Sequence, residues 1–147
     1  QNKAIDFQHI RELDMLVWCF PNDPSLSQLP ELIDPARAVY HLPYGQLPFD
    51  NQHAITSLAI NVIRYRPEQR CILRFDMTYG DSVKPVSLYA KIYESDKGEQ
   101  VYRLMQQTES LLKPTGYRTA KALHYSPEIT TVWQEALAGI PLADVLS

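Results

Sequence analysis

The feature that most constrains the fold is the alternation of apolar and mostly polar residues along residues 70–79. Successive side chains of a β-strand point to opposite faces, so this pattern predicts a strand with one buried face and one mostly wet face. Residues 58–66 form another strand-like run, and only Pro67, Glu68 and Gln69 separate the two. A link this short predicts an antiparallel hairpin. The buried face of the second strand is expected to consist of Cys71, Leu73, Phe75, Met77 and Tyr79.

A third strand is predicted over residues 85–93, and it carries a lysine on its polar face. Alternation puts Leu88 and Ala90 on one face and Tyr89 and Lys91 on the other. An ammonium group is rarely buried unless it is paired. Lys91 therefore has either water at its tip or a structural ion pair, or it binds an anionic ligand.

An amphipathic helix is predicted directly after this strand. Asp96 is placed to cap its start and Glu99 follows three residues later, which is a capping-box arrangement. Lys113 and Pro114 end the helix. Glu99 lies nearly opposite the apolar stripe, whereas Glu109 lies on its flank. The stripe consists of Val101, Leu104, Met105, Thr108, Leu111 and Leu112.

Two further strands are predicted over residues 119–125 and 129–137. They turn at Ser126, Pro127 and Glu128, which favours another antiparallel pair. Together these elements predict an α+β domain, in which a five-stranded antiparallel sheet packs against one main helix.

Residues 1–50 are expected to form a helical extension that precedes the sheet. Asp34 followed by Pro35 is a favourable helix start and predicts a short helix over residues 35–42. The extension either packs on the outside of the sheet or serves as a regulatory or substrate-side element. An earlier helix is predicted from the spacing of Phe7, Ile10, Leu13 and Val17.

Composition excludes several classes of function. With 45% hydrophobic and 21% charged residues and no run of ~20 apolar residues, the chain is expected to be cytoplasmic and to have no membrane partner. A net charge of −3 argues against a nucleic-acid partner. The four histidines lack metal-ligand spacing, so no metal site is predicted. Cys19 and Cys71 are expected to be unpaired core thiols.

Two segments resemble the N-terminal, ATP-binding lobe of the aminoglycoside and choline phosphotransferase-like kinases. One contains Lys91 and reads Tyr-Ala-Lys-Ile-Tyr, and the other, residues 132–142, reads Val-Trp-Gln-Glu-Ala-Leu-Ala-Gly-Ile-Pro-Leu. The resemblance covers residues 57–147 and depends on the order of a lysine strand, a helix and two strands. It implies a kinase-like lobe over residues 51–138, then a hinge exit and the start of a helix over residues 139–147.

The resemblance implies that Lys91 contacts the α- and β-phosphates of ATP and that a glutamate of the next helix holds it. Because that partner has to lie between core and cleft, Glu109 is the first choice for the ion pair and Glu99 the second. In this family the hairpin loop covers the triphosphate, usually with glycine, and the loop here has none. Either the side chains of Arg66 or Arg70 contact the phosphates, or these arginines are solvated charges and the nucleotide site is weak or lost.

The resemblance also implies where the adenine base lies. Tyr89 occupies a position at which many kinases have a small residue, and its ring either stacks on the base or fills the pocket. Glu135 and Leu137 fall at the adenine edge, where the family uses backbone groups. The alternative for this segment is an edge strand that ends in a glycine turn at Gly139.

The groups that carry out phosphoryl transfer are missing from the sequence. In this family a His-Gly-Asp motif, a downstream asparagine and a second aspartate position the acceptor and Mg²⁺, and those motifs do not occur in the 147 residues. No catalytic residue is predicted. The chain, which ends inside a helix starting near Pro141, is expected to be an inactive fragment of an enzyme that uses ATP on a small hydroxylated molecule. The alternative is a non-catalytic interaction module with the lobe's shape and a decayed nucleotide site.

Overall fold

The computed structural model describes residues 7–81 and 84–139 of the chain. Over these ranges it has a short hairpin, two short helices, a larger sheet and one long helix. In chain order the elements are β1 (Phe7–Ile10), β2 (Met15–Trp18), α1 (Leu29–Ile33), α2 (Pro35–Ala38), β3 (Ile55–Arg66), β4 (Arg70–Tyr79), β5 (Val86–Tyr93), α3 (Lys97–Leu112), β6 (Ala122–Ser126) and β7 (Thr131–Glu135).

The larger sheet contains β3 to β7. Its five strands are all antiparallel and lie in the order β3-β4-β5-β7-β6. Strand β5, which carries Lys91, is therefore the middle strand, and α3 connects it to β6. The α+β fold class predicted from the sequence, with a five-stranded antiparallel sheet and one main helix, is confirmed.

The hydrophobic core lies on one face of this sheet. The alternation predicted for β4 is present, since Leu73, Phe75 and Met77 are fully buried and their neighbours are not. On the same face, the indole of Trp133 packs edge-on against Phe75 at a centroid distance of 5.2 Å. The N-terminal segment covers this core face with Leu26, Leu29, Leu32, Ala38, Leu42 and Phe49. The described part of the N-terminal segment therefore packs on the sheet, which was one of the two hypotheses for residues 1–50.

The helix predicted from the spacing of residues 7–17 is wrong. These residues form the β1–β2 hairpin instead, in which Phe7 pairs with Trp18 and Ile10 pairs with Met15. Asp14, with a φ of 48°, closes the turn in the left-handed conformation that asparagine and aspartate tolerate. A short apolar run fits both periodicities, and here the strand pairing decides between them.

The second N-terminal helix is close to its prediction. The side chain of Asp34 accepts a hydrogen bond of 3.0 Å from the backbone N–H of Ala36, so it caps α2 as expected. A 3₁₀ turn over Val39–His41 continues the helix. Residues 7–50 are thus a mixture of hairpin, short helices and turns rather than a helical extension, and residues 1–6 lie outside the described part.

Helix α3 packs on the face opposite the core, and Gly98 lies close to the sheet. A Cβ at this buried glycine would lie 2.9 Å from the ring of Tyr125 and 3.3 Å from that of Tyr93. The predicted apolar stripe is wrong at Leu104 and Leu111, which are 62% and 76% exposed. The helix buries its first turn most deeply and presents these leucines to solvent.

The structure also bears on three smaller predictions. Asp96 precedes α3, but its side chain makes no capping hydrogen bond, so the predicted capping box is wrong. Cys71 is a buried core thiol, whereas Cys19 is exposed, and both are unpaired. Along residues 7–81 and 84–139, each helix is too short or too polar to cross a membrane.

Candidate functional site

The face of β3, β4 and β5 opposite the core is rich in positive charge. Strand register places Arg64, Ile72 and Lys91 in one row across the sheet, and Arg66 and Arg70 in the next. Arg74 lies in a third row. Because residues paired across neighbouring strands share a face, these cations lie on one surface. We call it the basic face, and it consists of Arg64, Arg66, Arg70, Arg74 and Lys91.

Among the described strand residues, one carboxylate lies on the same side of the sheet as the basic face, and it already accepts hydrogen bonds. Arg74 Nε donates a hydrogen bond of 3.0 Å to Asp76 Oδ1, and the hydroxyl of Ser87 donates to the same oxygen. The hydrogen bond that Arg74 donates to Asp76 raises the pKa of the Arg74 guanidinium, and the negative charge of Asp76 raises it further. In the described chain, the remaining four cations of the basic face form no ion pair.

Lys91 lies half-buried at the centre of this surface. Burial lowers the pKa of its ammonium group, and the nearby positive charge of Arg70 lowers it further. The structure therefore brings together two predicted site residues from different strands. A cation in this position, partly stripped of water and next to another cation, is stabilised by any anion that reaches it.

The predicted ion pair between Lys91 and a glutamate of α3 does not form in the described structure. Glu99 instead pairs with Arg103 across one helical turn, with 2.6 Å between Oε1 and Nη2. Such neighbours on a helix surface attract each other without help from the sheet. Glu109 lies elsewhere, in a cleft beyond the C-terminal end of α3.

This cleft brings Glu109 together with another predicted residue, Glu135. It has a volume of about 310 Å³ and is lined by both glutamates and by a mixture of basic and aromatic side chains. Glu135 Oε1 accepts a hydrogen bond of 3.0 Å from the backbone N–H of Lys121. Register places Glu135 opposite Leu88, so its side chain is not on the basic face. Leu137 follows the end of β7 and is partly exposed.

Tyr89 lies on the same face as Lys91 and is half-buried. Its cross-strand partners are Arg74 in β4 and Gln134 in β7. Gln134 was not predicted as a site residue, although the alternation of β7 places it on this face. Its Oε1 atom is buried and has no hydrogen-bond partner among the described residues. The surface around Tyr89 is therefore polar, as a ligand site would be.

The hairpin loop of residues 67–69 is held by a residue that sequence reasoning missed. Asp23 is fully buried, and its carboxylate accepts hydrogen bonds from the backbone of Glu68 and the hydroxyl of Tyr65. Burial raises the pKa of Asp23, but four donors outweigh it and the net shift is downward. The one local signal was the Asp23-Pro24-Ser25 sequence, which is typical of an aspartate-stabilised turn.

Comparison with protein-family models, with curated proteins and with solved structures found no match for this chain. Within the described residues, no group of three or more histidine, cysteine, aspartate or glutamate side chains could hold a metal ion. Among the described residues, the feature that points to a function is the arrangement of positive charge on the basic face.

Proposed function

We propose that the chain is the ATP-binding lobe of a small-molecule phosphotransferase of the aminoglycoside phosphotransferase-like type. The observation that carries this proposal is the unbalanced charge of the basic face. Four of its five cations have no carboxylate partner in the described chain, and Lys91 is half-buried among them. A polyphosphate would supply the missing negative charge, and charge-assisted hydrogen bonds to it are the stronger kind.

The order of the elements supports the same proposal. The lysine is on the third strand of the large sheet, the main helix follows, and two further strands complete the sheet. This is the order that the sequence resemblance to the kinase lobe implies. The helix also packs on the face that carries Lys91, since Gly98 approaches Tyr93 and Tyr125 there.

In this proposal the residues have distinct roles. Lys91 and Arg70 bind the inner phosphates, and Arg66, opposite Arg70 in the hairpin, reaches the outer phosphate. Tyr89 lies against the base, and the backbone at Glu135 and Leu137 lies at its edge. A second lobe supplies the carboxylates for Mg²⁺, the catalytic groups and the pocket for a small hydroxylated acceptor. The enzyme works in the cytoplasm, without a nucleic-acid or membrane partner.

The test is a calorimetric titration of the 147-residue chain with ATP and with AMP. Lys91→Met removes the charge and leaves an unbranched side chain that is one heavy atom shorter. We expect this variant to bind ATP at least about tenfold more weakly and AMP to be affected less, because AMP has only one of the two phosphates that Lys91 contacts. Lys113→Met is the matched control, since Lys113 is exposed and lies off the basic face. Equal ATP affinity in Lys91→Met and Lys113→Met contradicts the proposal.

A non-catalytic interaction module is the second candidate function. It is favoured by the absence of an ion pair between Lys91 and either Glu99 or Glu109 in the described structure. The glycine-free loop points the same way. The titration separates the two candidates, because a module of this kind binds ATP no better than AMP in the wild-type chain.

A further inference from the structure

We infer that Asp23 is a positioning residue for the phosphate-binding hairpin and takes over the task of the missing loop glycine. This inference rests on the proposed function, since it concerns the loop that would lie over the nucleotide's phosphates. Three observations carry it: the conformation of Glu68, the hydrogen bonds of the Asp23 carboxylate, and the position of two arginines beside the loop.

The loop adopts a turn that normally favours glycine. The backbone N–H of Gln69 donates a hydrogen bond of 3.2 Å to the carbonyl of Arg66, which closes a four-residue turn. Pro67 is the second residue and Glu68 the third, with a φ of 58°. A turn with proline second and a positive φ at the third residue is the type in which glycine is preferred at that position. Glu68 holds this conformation at an energetic cost, because its Cβ crowds the backbone.

Asp23 binds the strained residue itself. Its Oδ2 atom accepts a hydrogen bond of 2.8 Å from the backbone N–H of Glu68 and one of 2.7 Å from the hydroxyl of Tyr65. Hydrogen bonds to an ionised carboxylate are stronger than those between neutral groups. The contact therefore offsets the cost of the left-handed conformation at Glu68.

The other oxygen anchors Asp23 to its own segment. Oδ1 accepts hydrogen bonds of 2.8 Å from the backbone of Ser25 and 2.9 Å from that of Leu26. Leu26 is fully buried in the core. One carboxylate thus ties the hairpin loop to the N-terminal segment that packs on the far side of the sheet.

This arrangement decides how the loop can meet a phosphate. In a glycine loop the backbone amides point at the phosphate oxygens. Here the Glu68 amide already points at Asp23, so the contacts have to come from the side chains that flank the turn, Arg66 and Arg70. These two arginines are opposite each other in the strand register. A fixed turn keeps them there before the ligand arrives, which lowers the entropy lost on binding.

Asp23→Asn is the variant that tests the inference, because it breaks the loop contact and spares the anchor. An asparagine can keep its carbonyl oxygen toward Ser25 and Leu26, but its NH₂ group then faces the N–H of Glu68. We expect about tenfold weaker binding of ATP and a smaller loss for AMP, which lacks the outer phosphates, and the ratio of the two losses is the readout. Hydrogen exchange of the Glu68 amide should accelerate about tenfold or more. Asp34→Asn is the matched control, since Asp34 caps α2 with the same chemistry.

Several outcomes overturn the inference. If the Asp23→Asn variant loses ATP and AMP affinity in equal proportion, Asp23 serves stability alone. If exchange at Glu68 is unchanged, the carboxylate does not hold the loop. If the wild-type chain prefers AMP, or binds neither nucleotide, the proposed function is wrong and Asp23 has no role in phosphate binding. The exchange rate of the Glu68 amide still shows in that case whether Asp23 holds the loop.

A second variant gives a rescue test that does not depend on how well Asp23→Asn folds alone. Glu68→Gly allows the positive φ without steric cost. Added to Asp23→Asn, it should recover part of the lost ATP affinity, because glycine makes the turn favourable again. If the double variant binds ATP as weakly as Asp23→Asn, the claim that Asp23 replaces the glycine is wrong.

Discussion

Lys91 makes the folded chain less stable than an apolar residue would. Burial and the charge of Arg70 both lower the pKa of its ammonium group below the ordinary value of 10.5. The unfolded chain therefore holds this proton more tightly, and the stability contribution of Lys91 improves as the pH rises through the lowered pKa toward 10.5.

This gives a prediction for Lys91→Met. Near neutral pH the variant should have a free energy of unfolding about 0.5–1 kcal/mol higher than the wild type, because a half-buried charge becomes apolar surface. The difference should shrink as the pH rises, since the wild-type lysine then loses its charge. Urea denaturation at several pH values measures both effects. A variant less stable than the wild type at neutral pH would show that Lys91 has a structural partner.

The two cysteines differ in reactivity for a physical reason. Burial raises the pKa of the Cys71 thiol to about 11, whereas Cys19 is exposed. A thiol reagent should therefore modify Cys19 quickly in the folded chain at about pH 8, and Cys71 only after unfolding. Mass spectrometry of the labelled peptides separates the two sites. Equal labelling rates in the folded chain would contradict the burial of Cys71.

At the scale of elements, Gly98 decides how closely α3 approaches the sheet. In an open helix alanine is more favourable than glycine by roughly 0.5–1 kcal/mol. At Gly98 a Cβ would lie 2.9 Å from the Tyr125 ring and 3.3 Å from the carbonyl oxygen of Thr130. The oxygen belongs to the backbone and cannot move away as a side chain does.

We therefore expect Gly98→Ala to destabilise the chain by about 1–3 kcal/mol, against the helix propensity. Thermal denaturation followed by circular dichroism measures the effect. Gly45→Ala is the control, because no atom lies within 4 Å of a Cβ at Gly45. If both variants are equally stable, α3 does not pack through this glycine.

The sequence predicted some elements well because their signals are local. The alternation in β4 and β5 gave each strand and its buried face, and the proline after Asp34 gave the start of α2. Other elements depend on partners that the local sequence does not contain. The hairpin over residues 7–18 exists because two strands pair, and Leu104 is exposed because of the way α3 lies against the sheet.

At the scale of the whole molecule, the candidate site was predictable in part. Lys91 and Arg70 meet on one face because strand periodicity places them there. The pairing of Lys91 with a glutamate failed, because the rotation of a helix against a sheet is fixed by distant contacts. The role of Asp23 could not be predicted for the same reason, since Asp23 is 45 residues from Glu68 in the chain.

The core also indicates whether part of the chain can fold alone. Residues 51–138 look like a separate lobe in the sequence, yet their buried face packs against leucines of the N-terminal segment. We expect residues 51–139 alone to lack a cooperative unfolding transition, since that apolar face would be open to water. Proton NMR spectra of the shortened and full chains make the comparison. Well-dispersed signals from the shorter chain would show that the segment is dispensable.

The position of the N-terminal segment on the sheet also bears on synthesis. During translation Leu26, Leu29 and Leu32 emerge from the ribosome long before the strands that cover them, and Ile92 of the same core follows some sixty residues later. Until then these leucines are accessible to chaperones and to other nascent chains. The packing of these leucines onto the sheet is therefore expected to be a late step in folding, because non-local contacts are slow to form.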